Sequence, residues 1–192
     1  MDAFLRLSSD ERRLACQQVD EQMRLQAVSV EKDFWVCWTL RELFALPDIG
    51  QHLTFKGGTS LSKAWGLIQR FSEDIDLVVD KEALGFGGDA APEKALSKKK
   101  RRVRLEALME ASRKWVQEKL QPALAVRLHA ALGESGWKLE VDPDMADGQC
   151  LLFHYPSAFP PGTAGYSPAI VRFMPLMMVE IGLPSFSNCS AQ

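Results

Sequence analysis

Two acids lie two residues apart inside an apolar run, Asp74 and Asp76 in "DIDLVVD". In a strand, residues i and i+2 point to the same face. The two carboxylates then sit roughly 6–7 Å apart, and their repulsion is about 2–3 kcal/mol at an effective dielectric near 20. A purely structural strand gains nothing from that arrangement. A divalent cation reverses its sign, and hard oxygen ligands suit Mg²⁺ or Mn²⁺. Upstream, "FKGGTS" places Gly57 and Gly58 after a short apolar segment and before Thr59 and Ser60. Glycines permit a tight turn and close backbone approach. A helix beginning at the hydroxyls presents free N–H groups and a favourable dipole to an anion. Lys56 and Lys63 flank the turn with positive charge.

Taken singly, these features have plain structural explanations. Gly-Gly is a common turn, and D-x-D occurs in strand ends and calcium loops. Their order carries the argument: strand, glycine turn, hydroxyls, helix, then acids on the next strand. The spacing in "GGTSLSK" is neither G-x-x-x-x-G-K-[ST] nor G-x-G-x-x-G. What remains is a phosphate turn followed by metal-binding carboxylates, which suits in-line phosphoryl or nucleotidyl transfer from a nucleoside triphosphate.

The elements that must position these residues can be read from periodicity. Ser8 and Glu11 form a capping-box pattern ahead of a helix over residues 9–26. "SVEKDFWVCWTLRELFALP" reads as a second, largely buried helix, with Ser29 as N-cap and Pro47 beyond its end. "HLTFKG" and "DIDLVVD" read as strands around a helix in "TSLSKAWGLIQ". Leu105, Leu108, Met109, Ser112 and Val116 mark a helix to about Leu120, followed by another over 122–132. "WKLEVDP", "QCLLFHYP" and "AIVRFMPLMMVEIG" read as strands, and Pro175 places the last at a sheet edge or a bulge. The expected class is α+β with a mixed sheet.

Composition narrows the function. The chain has 192 residues, 46% of them hydrophobic and 25% charged, with a net charge of −2. This is a globular composition without a whole-molecule field for nucleic acid. Cys16, Cys37, Cys150 and Cys189 are scattered, with no C-x-x-C. That pattern argues against zinc and against a disulfide framework. No apolar run is long enough to span a bilayer, so a cytoplasmic location is expected. One local patch stands out: six of residues 98–104 are basic, namely Lys98, Lys99, Lys100, Arg101, Arg102 and Arg104. They crowd a helix start, where the dipole disfavours cations. Contact with RNA phosphates would compensate, and a solvated loop is the plain alternative.

The segment "KGGTSLSKAWGLIQRFSEDIDL" resembles the first motif of the AbiEii/AbiGii toxin family of nucleotidyltransferases, and "EKDFWVCWTLRELF" resembles the helix before it. The resemblance is clear over about residues 28–80 and weaker to residue 125. It implies a polymerase-β-like nucleotidyltransferase core with N-terminal and flanking helices. It also implies NTP as substrate, Mg²⁺ as cofactor, and a toxin paired with an antitoxin protein in phage defence. The implied acceptor is RNA, with the tRNA end foremost. By this resemblance Gly58 and Ser60 hold the triphosphate, with Lys56, Gly57, Thr59 and Lys63 around them. Asp74 and Asp76 hold the metal, Arg70 and Ser72 support the site, and Glu180 supplies a further catalytic carboxylate.

Family members are generally longer, with a helical second half. The expected organisation is therefore one nucleotidyltransferase-like domain, incomplete at its C-terminus. Helices occupy 1–47, a catalytic core 48–182 and a tail 183–192. A truncated chain of this kind would leave Val171, Phe173, Leu176, Met178 and Ile181 partly exposed. The alternatives to RNA modification are transfer to a protein hydroxyl, or a catalytically inactive remnant that binds nucleotide or antitoxin.

Overall fold

The computed structural model describes residues 1–57, 74–163 and 169–176, with backbone alone at Asp74 and at 174–176. After a short N-terminal turn of helix, α1 (Asp2–Leu5), come α2 (Ser9–Met23) and α3 (Ala27–Phe44). Strands β1 (Leu53–Lys56) and β2 (Asp74–Val79) follow. Helices α4 (Lys98–Trp115) and α5 (Gln121–Leu132) are joined by one π-helical segment, Val116–Leu120. Strands β3 (Lys138–Val141), β4 (Leu151–His154) and β5 (Ile170–Leu176) complete the described elements.

The Ser8 capping box forms as its residue types dictate. The Ser8 hydroxyl accepts from the Glu11 N–H, and the Glu11 carboxylate accepts from the Ser8 N–H at 2.8 Å. The second helix starts three residues earlier than Ser29 as N-cap suggests, with Gln26 at the N-cap position. Its first N–H, on Ala27, is met by the Asp20 carboxylate of α2 at 3.3 Å. A tertiary partner thus replaces the local cap, which periodicity alone does not reveal. The helices read as ending near Leu120 and restarting near 122 are continuous through the π-helical segment. Pro122 lacks an N–H and crowds the preceding turn of a regular α-helix, and the wider π geometry accommodates it.

The five strands form one mixed sheet in the order β1-β2-β5-β4-β3. Only the β2–β5 pair is parallel; the other three pairs are antiparallel. This α+β arrangement matches the class expected from sequence. The last strand is central, which excludes the edge position, one of the two placements that Pro175 suggested. Pairing with β4 stops at Phe173, which faces Leu151, so Pro175 lies past the end of that neighbour. A missing N–H is tolerated where the ladder on one flank has ended.

Strand alternation divides the molecule. Ile75 and Leu77 on β2, Val171 and Phe173 on β5, and Leu151 and Phe153 on β4 are all fully buried on one face. They pack against Trp35, Val36, Trp38 and Leu43 of α3 and Leu124 and Leu128 of α5. Trp35 stacks on Tyr155 at 5.3 Å between ring centroids and meets Trp38 edge-on at 5.5 Å. Such pairs contribute about 0.5–1.5 kcal/mol beyond the area they bury. The tryptophans are core groups. Val171 and Phe173 are likewise in this core, which corrects the expectation that they form an exposed patch. The positions expected beside them, Met178 and Ile181, lie outside the described residues.

A second, smaller cluster of Cys16, Ala27, Val28, Ala158 and Phe159 fastens the N-terminal helices to the segment after β4. The fully buried Glu31 carboxylate holds it, accepting from the Ser157 hydroxyl at 2.6 Å and the Ala158 N–H at 2.7 Å. Removing that acceptor leaves a buried N–H without its partner. We expect Glu31→Ala to lower unfolding stability by about 2–4 kcal/mol. Glu31→Gln, which keeps one acceptor oxygen, should cost clearly less. Urea denaturation of the two variants beside the unaltered protein checks this.

Candidate active site

The site begins where β1 ends. Gly57 has φ +74, in the left-handed region that a side chain resists. A Cβ at that position would lie 1.7 Å from Asp76 Oδ2 and 2.6 Å from its Cγ. The Asp76 carboxylate therefore rests directly on the Gly57 backbone. The β1–β2 ladder brings this about, with Lys56 standing opposite Asp76. The turn glycine and the strand acid, 19 residues apart in the chain, are in van der Waals contact.

Asp76 lies between Ile75 and Leu77, both fully buried, and so faces away from the helical core. It is itself half-buried. Alternation along β2 puts position 74 on the same face. On β5, Arg172 lies between the buried Val171 and Phe173 and projects to that face as well. Its Cα partner on β2 is Asp74. The charged face therefore carries Lys56, Asp76 and Arg172 on three adjacent strands.

Arg172 is held from its far side. Its Nε lies 3.2 Å from Asp142 Oδ2, and the Asp142 side chain is 1% exposed while that of Arg172 is 44% exposed. Asp142 Oδ1 accepts the Asp144 N–H at 3.0 Å, and Oδ2 has no hydrogen bond of good geometry. Coulomb attraction to the guanidinium is what compensates that buried oxygen. Sequence reading missed both residues. The available signal was one arginine interrupting the apolar alternation of "AIVRFMP". Nothing local marks Asp142 as its partner.

Of the other residues expected at the site, Lys56 stands at the end of β1. Gly58, Thr59, Ser60, Lys63, Arg70, Ser72 and Glu180 lie outside the described residues. The basic run occupies the first turns of α4, where the Ser97 hydroxyl accepts the Lys100 N–H. Its members differ in what they do. Arg104 donates to the carbonyls of Asp89 and Ala91, at 2.7 and 2.9 Å, and so pins the preceding loop. Arg102 pairs with Glu106 at 3.0 Å. Lys98, Lys99 and Lys100 are exposed.

Other chemistries find less support. Burial pushes the Cys16 and Cys150 thiols up to about 12, with Glu31 and Asp142 adding to it. Neither is a nucleophile near neutral pH. Among the described residues, no three His, Cys, Asp or Glu side chains form a metal cluster. No described helix is long and apolar enough to cross a membrane. A cavity of about 340 Å³ opens beside His52, Trp115 and Lys119. It lies at the start of β1, roughly 13 Å along the strand from Gly57, and is separate from the charged face.

A protein-family model described as nucleotidyl transferase AbiEii toxin, type IV toxin–antitoxin system, matches residues 38–173. The matched span includes Lys56, Gly57, Asp74, Asp76, the basic run and Arg172. No curated protein and no solved structure matches the chain.

The contact between Gly57 and Asp76 yields a stability prediction. Gly57→Ala forces a side chain into a left-handed backbone and into a carboxylate. We expect a loss of about 2–4 kcal/mol. Asp76→Gly in the same chain removes the obstructing group and should recover part of that loss. The double-mutant cycle in chemical denaturation reads the coupling. Simple additivity would contradict the contact.

Proposed function

This chain belongs to the AbiEii nucleotidyl transferase toxin family of type IV toxin–antitoxin systems, and from that premise we propose that it transfers a nucleoside monophosphate from an NTP to an RNA end, aided by a divalent cation. The tRNA acceptor end is the acceptor we favour, and the cytoplasm is where these substrates meet. The observation that carries the reading is the Asp76 carboxylate seated on the Gly57 backbone. This contact supports the reading, because a carboxylate able to bind a cation lies against a glycine turn able to bind an anion.

The donor set suits Mg²⁺ or Mn²⁺. Mg²⁺ is commonly held by one or two carboxylates, with substrate phosphates and water completing its shell. A protein cluster of three ligands is not required. Asp74 and Asp76 would hold the ion, which when bound neutralises charge on the triphosphate. The turn beginning at Gly57, with Gly58 and Ser60, would bind the triphosphate through backbone and hydroxyl donors. Lys56 adds positive charge beside it. The acceptor hydroxyl oxygen forms a bond to the α-phosphorus, the bond from that phosphorus to the bridging oxygen breaks, pyrophosphate leaves, and the hydroxyl proton passes to solvent. Glu180 is the candidate for a further carboxylate by its place in "MMVEIG". The exposed Lys98, Lys99 and Lys100, with Arg101, would meet the RNA backbone.

The test is incubation with α-labelled NTPs, Mg²⁺ and total RNA. We expect label in RNA, and a loss of at least about 100-fold in Asp76→Asn, since a metal ligand is removed. Metal-free stability of that variant should change by less than about 1 kcal/mol. Label in protein would instead identify a protein hydroxyl as acceptor. Absence of label would leave a binding protein without transfer activity.

The basic run gives a separate expectation. Replacing Lys98, Lys99, Lys100 and Arg101 by Gln should weaken RNA binding and flatten its salt dependence, by up to about 3 in the log–log slope. NTP binding should be spared. An unchanged slope would return the run to solvated surface.

A further inference from the structure

We infer that Arg172, oriented by Asp142, binds a phosphodiester of a nucleic-acid acceptor next to the reacting hydroxyl. This rests on the nucleotidyl-transfer reading and assigns one side of the same site. The strand order supplies the geometry. β2 carries the two acids, β1 with the glycine turn lies on one side, and β5 with Arg172 lies on the other. Neighbouring strands are about 4.8 Å apart, so the turn and Arg172 flank the acids at about 10 Å from each other.

In-line displacement places the attacking oxygen opposite the leaving one. With the triphosphate on the β1 side, pyrophosphate leaves there and the acceptor enters from the β5 side. Arg172 stands at that entrance. Among the described residues its only ion-pair partner is Asp142, which engages Nε. The Arg172 side chain is 44% exposed, and the planar fork of a guanidinium matches phosphate oxygens. A buried carboxylate behind a half-exposed guanidinium fixes its direction, which a solvated surface arginine would not need. An acceptor with a phosphodiester uses this group. A protein hydroxyl does not.

The experiment measures equilibrium binding of a mixed bacterial tRNA preparation to the full chain without NTP, over a salt series. Binding of NTP with Mg²⁺ is measured in parallel. Arg172→Gln should weaken RNA binding about tenfold and reduce the log–log salt slope by about 0.7, the value for one single-strand phosphate. NTP binding should stay within about twofold of the unaltered protein, because the turn is on the other side. Arg172→Gln also leaves Asp142 uncompensated, so Arg172→Gln with Asp142→Asn is measured beside it, with a melting curve for each. The double variant should show the same loss of slope. An unchanged slope in a folded variant overturns the inference while leaving the broader reading intact. Loss of NTP binding with RNA binding retained overturns it too, by moving Arg172 to the triphosphate side. Failure of the unaltered protein to bind NTP with Mg²⁺ is the distinct result that overturns the transfer reading and this inference together.

Discussion

The Asp76 carboxylate lies on a backbone that has no room for a side chain. That single contact constrains β1 and β2 together. It requires glycine at position 57, and it goes with a register in which Lys56 faces Asp76 and Phe55 faces Leu77. A slip of one residue would turn Ile75 and Leu77 out of the core and bring the acids into it. Correct strand pairing and an assembled site are therefore the same structural condition. Burial holds that register, since Ile75 and Leu77 are both fully enclosed.

That enclosure comes from α3. Its tryptophans and Val36 reach across the inward face of β2, β5 and β4. The helix is apolar on most sides because it is packed on most sides, and two of its buried polar side chains have partners, while the buried indole N–H groups of Trp35 and Trp38 have none among the described residues. Thr39 donates to the carbonyl of Trp35 at 2.7 Å, and Glu42 pairs with Arg127 at 2.6 Å. Covering one sheet face so thoroughly leaves the other available for charge. Interior packing density favours a rigid platform under the acids, and rigid supports keep reacting groups in place.

The charged face follows a consistent electrostatic logic. Lys56 and Arg172 stand on the strands either side of β2. Both stand on the face that carries Asp76. Asp142 adds a buried counter-charge behind Arg172. Buried ion pairs are weak stabilisers and good orienters. The same distinction applies in the basic run, where Arg104 secures a loop by two carbonyls while Lys98, Lys99 and Lys100 remain exposed.

Local chemistry in the sequence was sufficient for the Ser8 capping box, the strand character of "DIDLVVD", the buried character of α3 and the family. Each depends on residues close together in the chain, where spacing and side-chain type act directly. The resemblance in "KGGTSLSKAWGLIQRFSEDIDL" is of that kind as well. Other features needed partners distant in the chain. Asp20 displaced Ser29 as the cap of α3, because a carboxylate from the preceding helix reaches Ala27. Sheet order put β5 in the centre despite Pro175, because β4 ends before reaching it. The seat of Asp76 on Gly57 arises from an antiparallel pairing that spans 19 residues, and Arg172 joins the acids only through a parallel pairing nearly a hundred residues apart. Residue types state what chemistry is available. Non-local pairing decides which of those groups share a face, because side-chain direction in a sheet is set by register and not by sequence proximity.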